Sequence, residues 1–484
     1  MKKILSIVLA VILLVTALSL GGCGIFSINR PSEPDTETTK EEETTAPYEL
    51  EVVRNEYSGE VDRFMKDLSG DKYDKTTVRI VTSKKKLVVP DENAGKVISD
   101  DLTERNSAVE NTLGISLYTE EKDADTMLKE IKAAVRAGDY YADIIMYPQN
   151  MIGAFVKGGA VINMKSLPGF ETDSGYFFPS AVASGTGGDA VYAVAGPASL
   201  DPDGLSCIYF NKDMIEKAGL ESPYELVDRG EWTLDKYVEY LNAGATLEGD
   251  YYGYAAQNTS HYLVDLFYFG AGHKLINSVF GYYPQLNMSG DKVVPTVEKI
   301  RNATLNAESS GSALTAIETF KSGNTLFLIE RLDTMKTLAN IGTDWGILPM
   351  PKYDSAQKKY CTLAYYEEAM FFGVVSTATN YEMTADVIAC LNIMSYGYTK
   401  DAYVTNASYN YLRDNKSIRM LSIVVENPVY DFAYSFASTY NAIPSATYMA
   451  VRNAVSGVAP VERYVNMWKR QFESSMYYLF EVEE

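Results

Sequence analysis

The spacing of hydrophobic and polar positions changes several times along the chain, and each change marks a different kind of segment. Lys2 and Lys3 precede an apolar run from Ile4 to Leu20, broken only by Ser6, Thr16 and Ser19. From Ser27 to about Tyr57 the pattern is polar, dominated by Glu, Thr, Ser and Pro, with almost no large apolar side chain before Tyr48. At Thr77 alternation begins, and 77–82 (TVRIVT) predicts a short strand. Residues 99–113 predict a helix ended by Gly114, and 115–120 return to strand character. In 123–137, Ala124, Leu128, Ile131 and Val135 recur at helical spacing, with Gly138 as the stop. The apolar run 142–147 reads as a buried parallel strand. A helix over 149–157 follows it, before Gly158 and Gly159. Strand and helix in alternation predict right-handed crossovers and a parallel sheet.

A second unit begins near residue 201. Strands are predicted at 205–210, 251–256 and 325–330. Asn211 is placed to cap a short helix that Gly219 ends, and Thr233 to cap another with Asp235 in its first turn. A helix near 313–322 closes at Gly323. Strand-like 370–375 leads to a helix whose capping box runs from Thr379 to Glu382. Its apolar face is Met383, Val387, Ile388, Leu391 and Met394, and the chain beyond it is mostly helical.

Charge and composition narrow the picture. The 484 residues carry a net charge of −21, which disfavours nucleic acid as a partner and electrostatic attachment to anionic lipid. A charged start, an apolar middle and small residues at Gly21 and Gly22 describe a secretory signal peptide over 1–22. The same run is short for a spanning helix, which needs about 20 residues. Its end, Leu20-Gly21-Gly22-Cys23, resembles the bacterial lipoprotein cleavage motif, in which the cysteine thiol receives a lipid. Between Glu33 and Glu60 ten acids face only Lys40 and Arg54, so 23–60 is expected to be a disordered, self-repelling tether.

Cys207, Cys361 and Cys390 each sit in an apolar stretch without C-x-x-C spacing and are expected to be buried single thiols. His261 and His273 give no zinc-ligand spacing. No metal and no cofactor are predicted.

The order of motifs resembles a family, the extracellular solute-binding proteins of ABC importers, in particular the sugar-binding class. The segments that carry the resemblance include VRAGDYYADIIM (135–146), the stretch 208–237 and FKSGNTLFLIE (320–330). Two more are WGILPMPKYDSAQKKY (345–360) and YLRDNKSIRMLSIV (411–424). The resemblance implies an α/β, two-lobed periplasmic-binding-protein-like fold, each lobe a mostly parallel sheet flanked by helices and joined by a hinge. Lobe one would take 77–200 plus 360–395, and lobe two 201–359 plus 396–484. It also implies a monomer with a small-molecule solute, an oligosaccharide first, in the cleft between lobes, an ABC permease as partner, and a lipid anchor on the extracellular face.

Open α/β sheets bind at the carboxyl ends of their strands. The candidate ligand-binding residues are therefore Ser83, Tyr147, Gln149, Asp201, Tyr254, Gln257, Glu330, Arg331 and Tyr365. A sugar offers flat C–H faces to aromatic rings and hydroxyls to polar side chains, and the chain holds 37 tyrosines from which to build such a site. Many sugar binders of this kind carry a Trp where this chain has Glu330-Arg331. Peptides and other polar solutes therefore stay open, with Arg331 as a partner for a ligand carboxylate. An Asp-rich loop of some relatives is shortened here to 242–254, consistent with the expectation of no metal. Two other readings are a sensor or adhesin on the same fold and an extracellular glycosidase. The glycosidase needs two carboxylates across a cleft, and no motif in the sequence singles out such a pair.

Overall fold

In the first strand, β1 (Thr76–Thr82), side chains alternate between two cores. Val78 and Ile80 join Ile144, Met146, Met370 and Phe372 on one face. Val81 joins Ile145, Tyr147 and Phe371 on the other. The computed structural model describes residues 59–65, 68, 72–91, 95–244, 246–247, 249, 251–256, 260–305 and 315–480. The expected signal peptide, Cys23 and nearly all of the acidic tether lie outside them.

Four strands make the first sheet: β1, β2 (Ile115–Glu121), β3 (Ile144–Pro148) and, much later in the chain, β8 (Met370–Val374), in the order β8-β3-β1-β2. The helices Lys96–Leu113 and Ala124–Ala137 are the crossovers that make β1 parallel to both β2 and β3. Gly114 and Gly138 end them at positive φ, 65° and 73°, conformations that an L side chain resists. Asp123 caps the second through Thr126 N–H at 2.9 Å. No crossover feeds β8, so it is free to pair antiparallel with β3, Met370 opposite Pro148.

The second sheet has the order β7-β4-β6-β5, from β4 (Ser206–Asn211), β5 (Tyr252–Ala256), β6 (Thr325–Arg331) and β7 (Trp345–Leu348). β6 is parallel to β5, whereas β4 runs antiparallel to both β6 and β7. Asn211 caps the helix Lys212–Lys217 through Met214 N–H. Trp232 and Trp345 are buried in this half, their indole N–H groups donating to Pro349 O and Leu338 O at 3.0 and 2.9 Å.

The chain passes between the sheets three times, and the crossing segments pair with one another. Leu205 bridges Ala364, and Thr362–Leu363 pairs with Pro428–Val429. The helix Tyr381–Ser395 is capped by Asn380, whose side chain accepts from Met383 N–H, one residue later than the capping box expected at Thr379. Asn is as good a cap as Thr, and the shift moves Glu382 out of the position from which it could reach back. The helix is buried on nearly all sides against Lys96–Leu113 and the first sheet. Cys207 and Cys390 are buried free thiols, and Cys361 is half-buried.

The terminal helices are tied down by a buried ion pair. Arg452 binds Asp265 through Nε at 2.9 Å and through Nη2, and Tyr434 donates to the same carboxylate at 2.6 Å. Asp265 is 2 % exposed. Removing one member of such a pair strands a buried charge. Arg452→Met is therefore expected to lower unfolding free energy by about 3–5 kcal/mol in urea titration, and adding Asp265→Asn should recover part of that loss.

Candidate functional site

The antiparallel strands decide what meets between the sheets. The carboxyl ends of β1, β3, β5 and β6 face inward together with the amino ends of β4 and β8, since Ser206 lies opposite Arg331 and Met370 opposite Pro148. Beside the ends of β5 and β6 and the start of β4 lies a cavity of about 330 Å³, lined in part by Ser206, Tyr262, Glu330, Arg331 and Tyr365, so its walls come from the second sheet, the helix Ser260–Gly270 and the second crossing. Three of the expected ligand residues, Glu330, Arg331 and Tyr365, are thus brought together.

Arg331 reaches Glu368 and Asp333 only at 3.7 Å, and its side chain is 40 % exposed. It is loosely held and can turn toward a polar solute. Tyr365 donates to Glu367 at 2.8 Å, and its ring meets Tyr262 edge to face at 5.1 Å. Behind it the rings continue as a ladder. Tyr365 touches Tyr366, which stacks on Tyr434 at 4.9 Å, which stacks on Tyr448 at 5.1 Å, and the Arg452 guanidinium covers the last ring. Burial first, then the neighbouring Glu367, pushes the Tyr365 hydroxyl well above the usual phenol range, so it stays a neutral donor.

The other candidates lie elsewhere. Ser83 is half-buried, its hydroxyl 3.8 Å from Met370 Sδ. Asp201 is occupied. Lys84 and Lys86 each bind its carboxylate at 2.8 Å, and Lys84 also pairs with Glu368. Burial alone would raise the Asp201 carboxyl, but the two ammonium groups more than offset it and hold it below the ordinary value. Asp201 therefore joins the β1 end to the first crossing and has little left for a ligand.

Tyr147 is fully buried, stacked on Phe155 at 4.2 Å, because it sits inside β3 rather than past its end. Gln149 is fully buried and donates to Asp431 O at 2.9 Å and Ser435 Oγ at 3.2 Å. Tyr254 lies two residues short of the β5 end, and its hydroxyl donates to Thr304 O, away from the cavity. All three side chains are buried, and none lines that cavity. Gln257 lies outside the described residues.

Two hydroxyl-bearing lining residues, Ser206 and Tyr262, escaped the sequence reading. Ser206 begins a strand, and a parallel sheet would put that end on the far side. Tyr262 stands in the apolar helix Ser260–Gly270 and reads there as core. Among the described residues no group of three or more His, Cys, Asp or Glu is placed to hold a metal ion. No helix among them is long and apolar enough to cross a membrane.

No family model matches the chain, and no curated protein does. Solved structures match over most of its length. A cyclo/maltodextrin-binding protein complexed with maltotetraose has 14% identity and a TM-score of 0.53, covering 84% of this chain and 99% of that one. A sugar transporter from Rhizobium etli in an open conformation has 14% identity and a TM-score of 0.54, covering 82% and 99%. A family 1 extracellular solute-binding protein from Bifidobacterium longum subsp. infantis has 13% identity and a TM-score of 0.50, covering 83% and 99%. At such identities the likeness is one of fold, the two-lobed α/β fold of these binding proteins.

Asp431, at the third crossing, gives this region a pH dependence. Its carboxylate accepts from Leu275 and Ala433 N–H at 2.9 Å each, yet burial pushes its pKa up to about 6. A raised folded pKa means a contribution present below about pH 4 and lost as pH rises through 6. Over that window the unfolding free energy of the wild type should fall, relative to Asp431→Asn, by on the order of 2 kcal/mol. Urea titrations of both proteins from pH 4 to 8 check it, and parallel curves would refute the assignment to Asp431.

Proposed function

We propose that this protein is a cell-surface solute-binding protein of an ABC importer, which captures a small polar solute, an oligosaccharide in the first instance, and presents it to the permease. The observation that carries the reading is the cavity at the strand ends of the second sheet, where Tyr262 and Tyr365 meet edge to face beside Ser206, Glu330 and Arg331. Rings suit the C–H faces of a sugar, while carboxylate, guanidinium and hydroxyl suit its hydroxyls. The fold supports it, since proteins that share it include a maltodextrin binder. Similar structures are binding proteins, and we read this chain as a binder rather than an enzyme.

In this reading the lobes comprise 77–200 plus 360–395 and 201–359 plus 396–484, and the pairs at the first crossing sit where a hinge would bend. Cys23 carries the lipid and 23–60 is the tether, so that a monomeric receptor stays within reach of its transporter at the membrane's extracellular face. Replacing Cys23 by Ser should abolish incorporation of labelled palmitate in the native host and release the protein into the medium. Retained label would refute the anchor.

A thermal-shift screen of purified protein against oligosaccharides, oligopeptides and polyols tests the solute class, because a ligand specific for the folded state raises Tm by mass action. At least one oligosaccharide should shift it, and Arg331→Ala should weaken that ligand about tenfold or more without lowering the ligand-free Tm. Shifts with peptides and none with glycans would overturn the sugar assignment.

A further inference from the structure

Far along the chain, the strand pair Ile276–Asn277 and Gln285–Leu286 forms a hairpin whose tip is aromatic. That tip is held in place: Gly281 N–H donates to Gly188 O at 2.9 Å and Ser278 Oγ to Thr186 O at 2.5 Å. Its rings nonetheless face solvent, Tyr282 being 67 % exposed and Phe280 and Tyr283 about half exposed. Beside it the helix Val461–Phe480 presents Tyr477 and Tyr478, the latter 70 % exposed. Tyr283, Tyr477 and Tyr478 meet ring to ring in series, joining the exposed aromatics of hairpin and helix, and such patches mark interaction sites.

The patch borders a groove of about 600 Å³ that shares no lining residue with the cleft cavity. Phe472 and Met476, both buried, form part of its wall, and Tyr283 and Tyr477 meet across it with centroids 6.2 Å apart and planes at 57°. At that angle the two rings do not stack on one another, so ring surface remains for a ligand. Gln285, Ser289 and Asn466 add amide and hydroxyl groups along the groove. Among the described residues that line it, the charged ones are Lys469 and Glu473, which pair with each other at 3.9 Å.

We propose that this groove binds a neutral polysaccharide chain at the protein surface. Open tilted rings, amides and hydroxyls in one trough match alternating C–H faces and hydroxyls. Charge complementarity selects the neutral polymer. The paired groove offers no net charge to a polycation, and a chain of net −21 repels a polyanion. The concavity distinguishes it from a flat membrane surface. The inference stands on a different face from the cleft and does not depend on the solute bound there.

Native affinity electrophoresis of the full chain, in gels cast with soluble amylopectin, galactomannan, arabinoxylan or mixed-linkage β-glucan, tests it. At least one polymer should retard the wild type. The double variant Tyr283→Ala/Tyr477→Ala should weaken that retardation about tenfold, while Arg331→Ala in the cleft leaves it unchanged. Tyr283→Ala and Tyr477→Ala made singly should each weaken it in part and serve if the double variant is misfolded by circular dichroism. The proposal is overturned if none of the four polymers retards the protein. It is also overturned if Arg331→Ala abolishes retardation that the tyrosine variants keep, which would place the polymer in the cleft. Tyrosine-dependent flotation with phosphatidylcholine vesicles, or tyrosine-dependent self-association in ultracentrifugation, without polymer binding would replace it with a membrane or protein contact.

Discussion

The three crossing segments cannot leave their backbone polar groups unpaired inside the molecule, and they satisfy them against one another. Ala364 N–H donates to Val429 O at 3.0 Å, Thr362 N–H to Asn427 O at 3.1 Å, and Leu205 bridges Ala364. This pairing brings the second and third passages beside the first. With three strands of chain in register there, the ends of both sheets must look toward a common space. Everything proposed for ligand capture depends on that space.

Two kinds of interaction shape its walls, and they differ in stiffness. The ladder Tyr366-Tyr434-Tyr448, anchored by Asp265 and Arg452, is packed, hydrogen-bonded and largely buried, so it gives the site a firm aromatic back. The ionic groups around the first crossing are shared among several partners: Asp201 takes two lysines, and Glu368 pairs with both Lys84 and Arg331. The half-exposed Arg331–Glu368 pair exchanges at small cost, whereas the Asp201 pairs are buried and held. The site proposed for a solute therefore has a rigid ring wall on one side and the adjustable Arg331–Glu368 edge on the other.

Local elements were mostly legible in the sequence because their signals are local. Asn211 and Thr233 cap where expected, Gly114 and Gly138 stop their helices, and the alternation of β1 sorts its side chains into two cores. The candidate site was less legible. Glu330, Arg331 and Tyr365 do line the cavity, but Tyr147 and Tyr254 proved to lie inside their strands rather than beyond them. Successive residues of a strand point to opposite faces, so nearness to its end does not decide whether a side chain meets the cavity or the core. Ser206 and Tyr262 were hidden for a different reason, since one needed the strand direction and the other the helix orientation.

By itself, the sequence determined the α/β character, the helix and strand order being written in hydrophobic spacing, and the acidic charge that disfavours nucleic acid. It also supplied the resemblance from which the two-lobed fold was expected. Only the tertiary structure decided that β4 and β8 run antiparallel, that Asp201 is consumed by Lys84 and Lys86, and that tyrosines from residues 262 to 448 converge. The physical reason is range. Periodicity and capping act within a few residues, whereas strand direction, charge pairing and ring stacking are settled between segments that meet only after the chain has crossed.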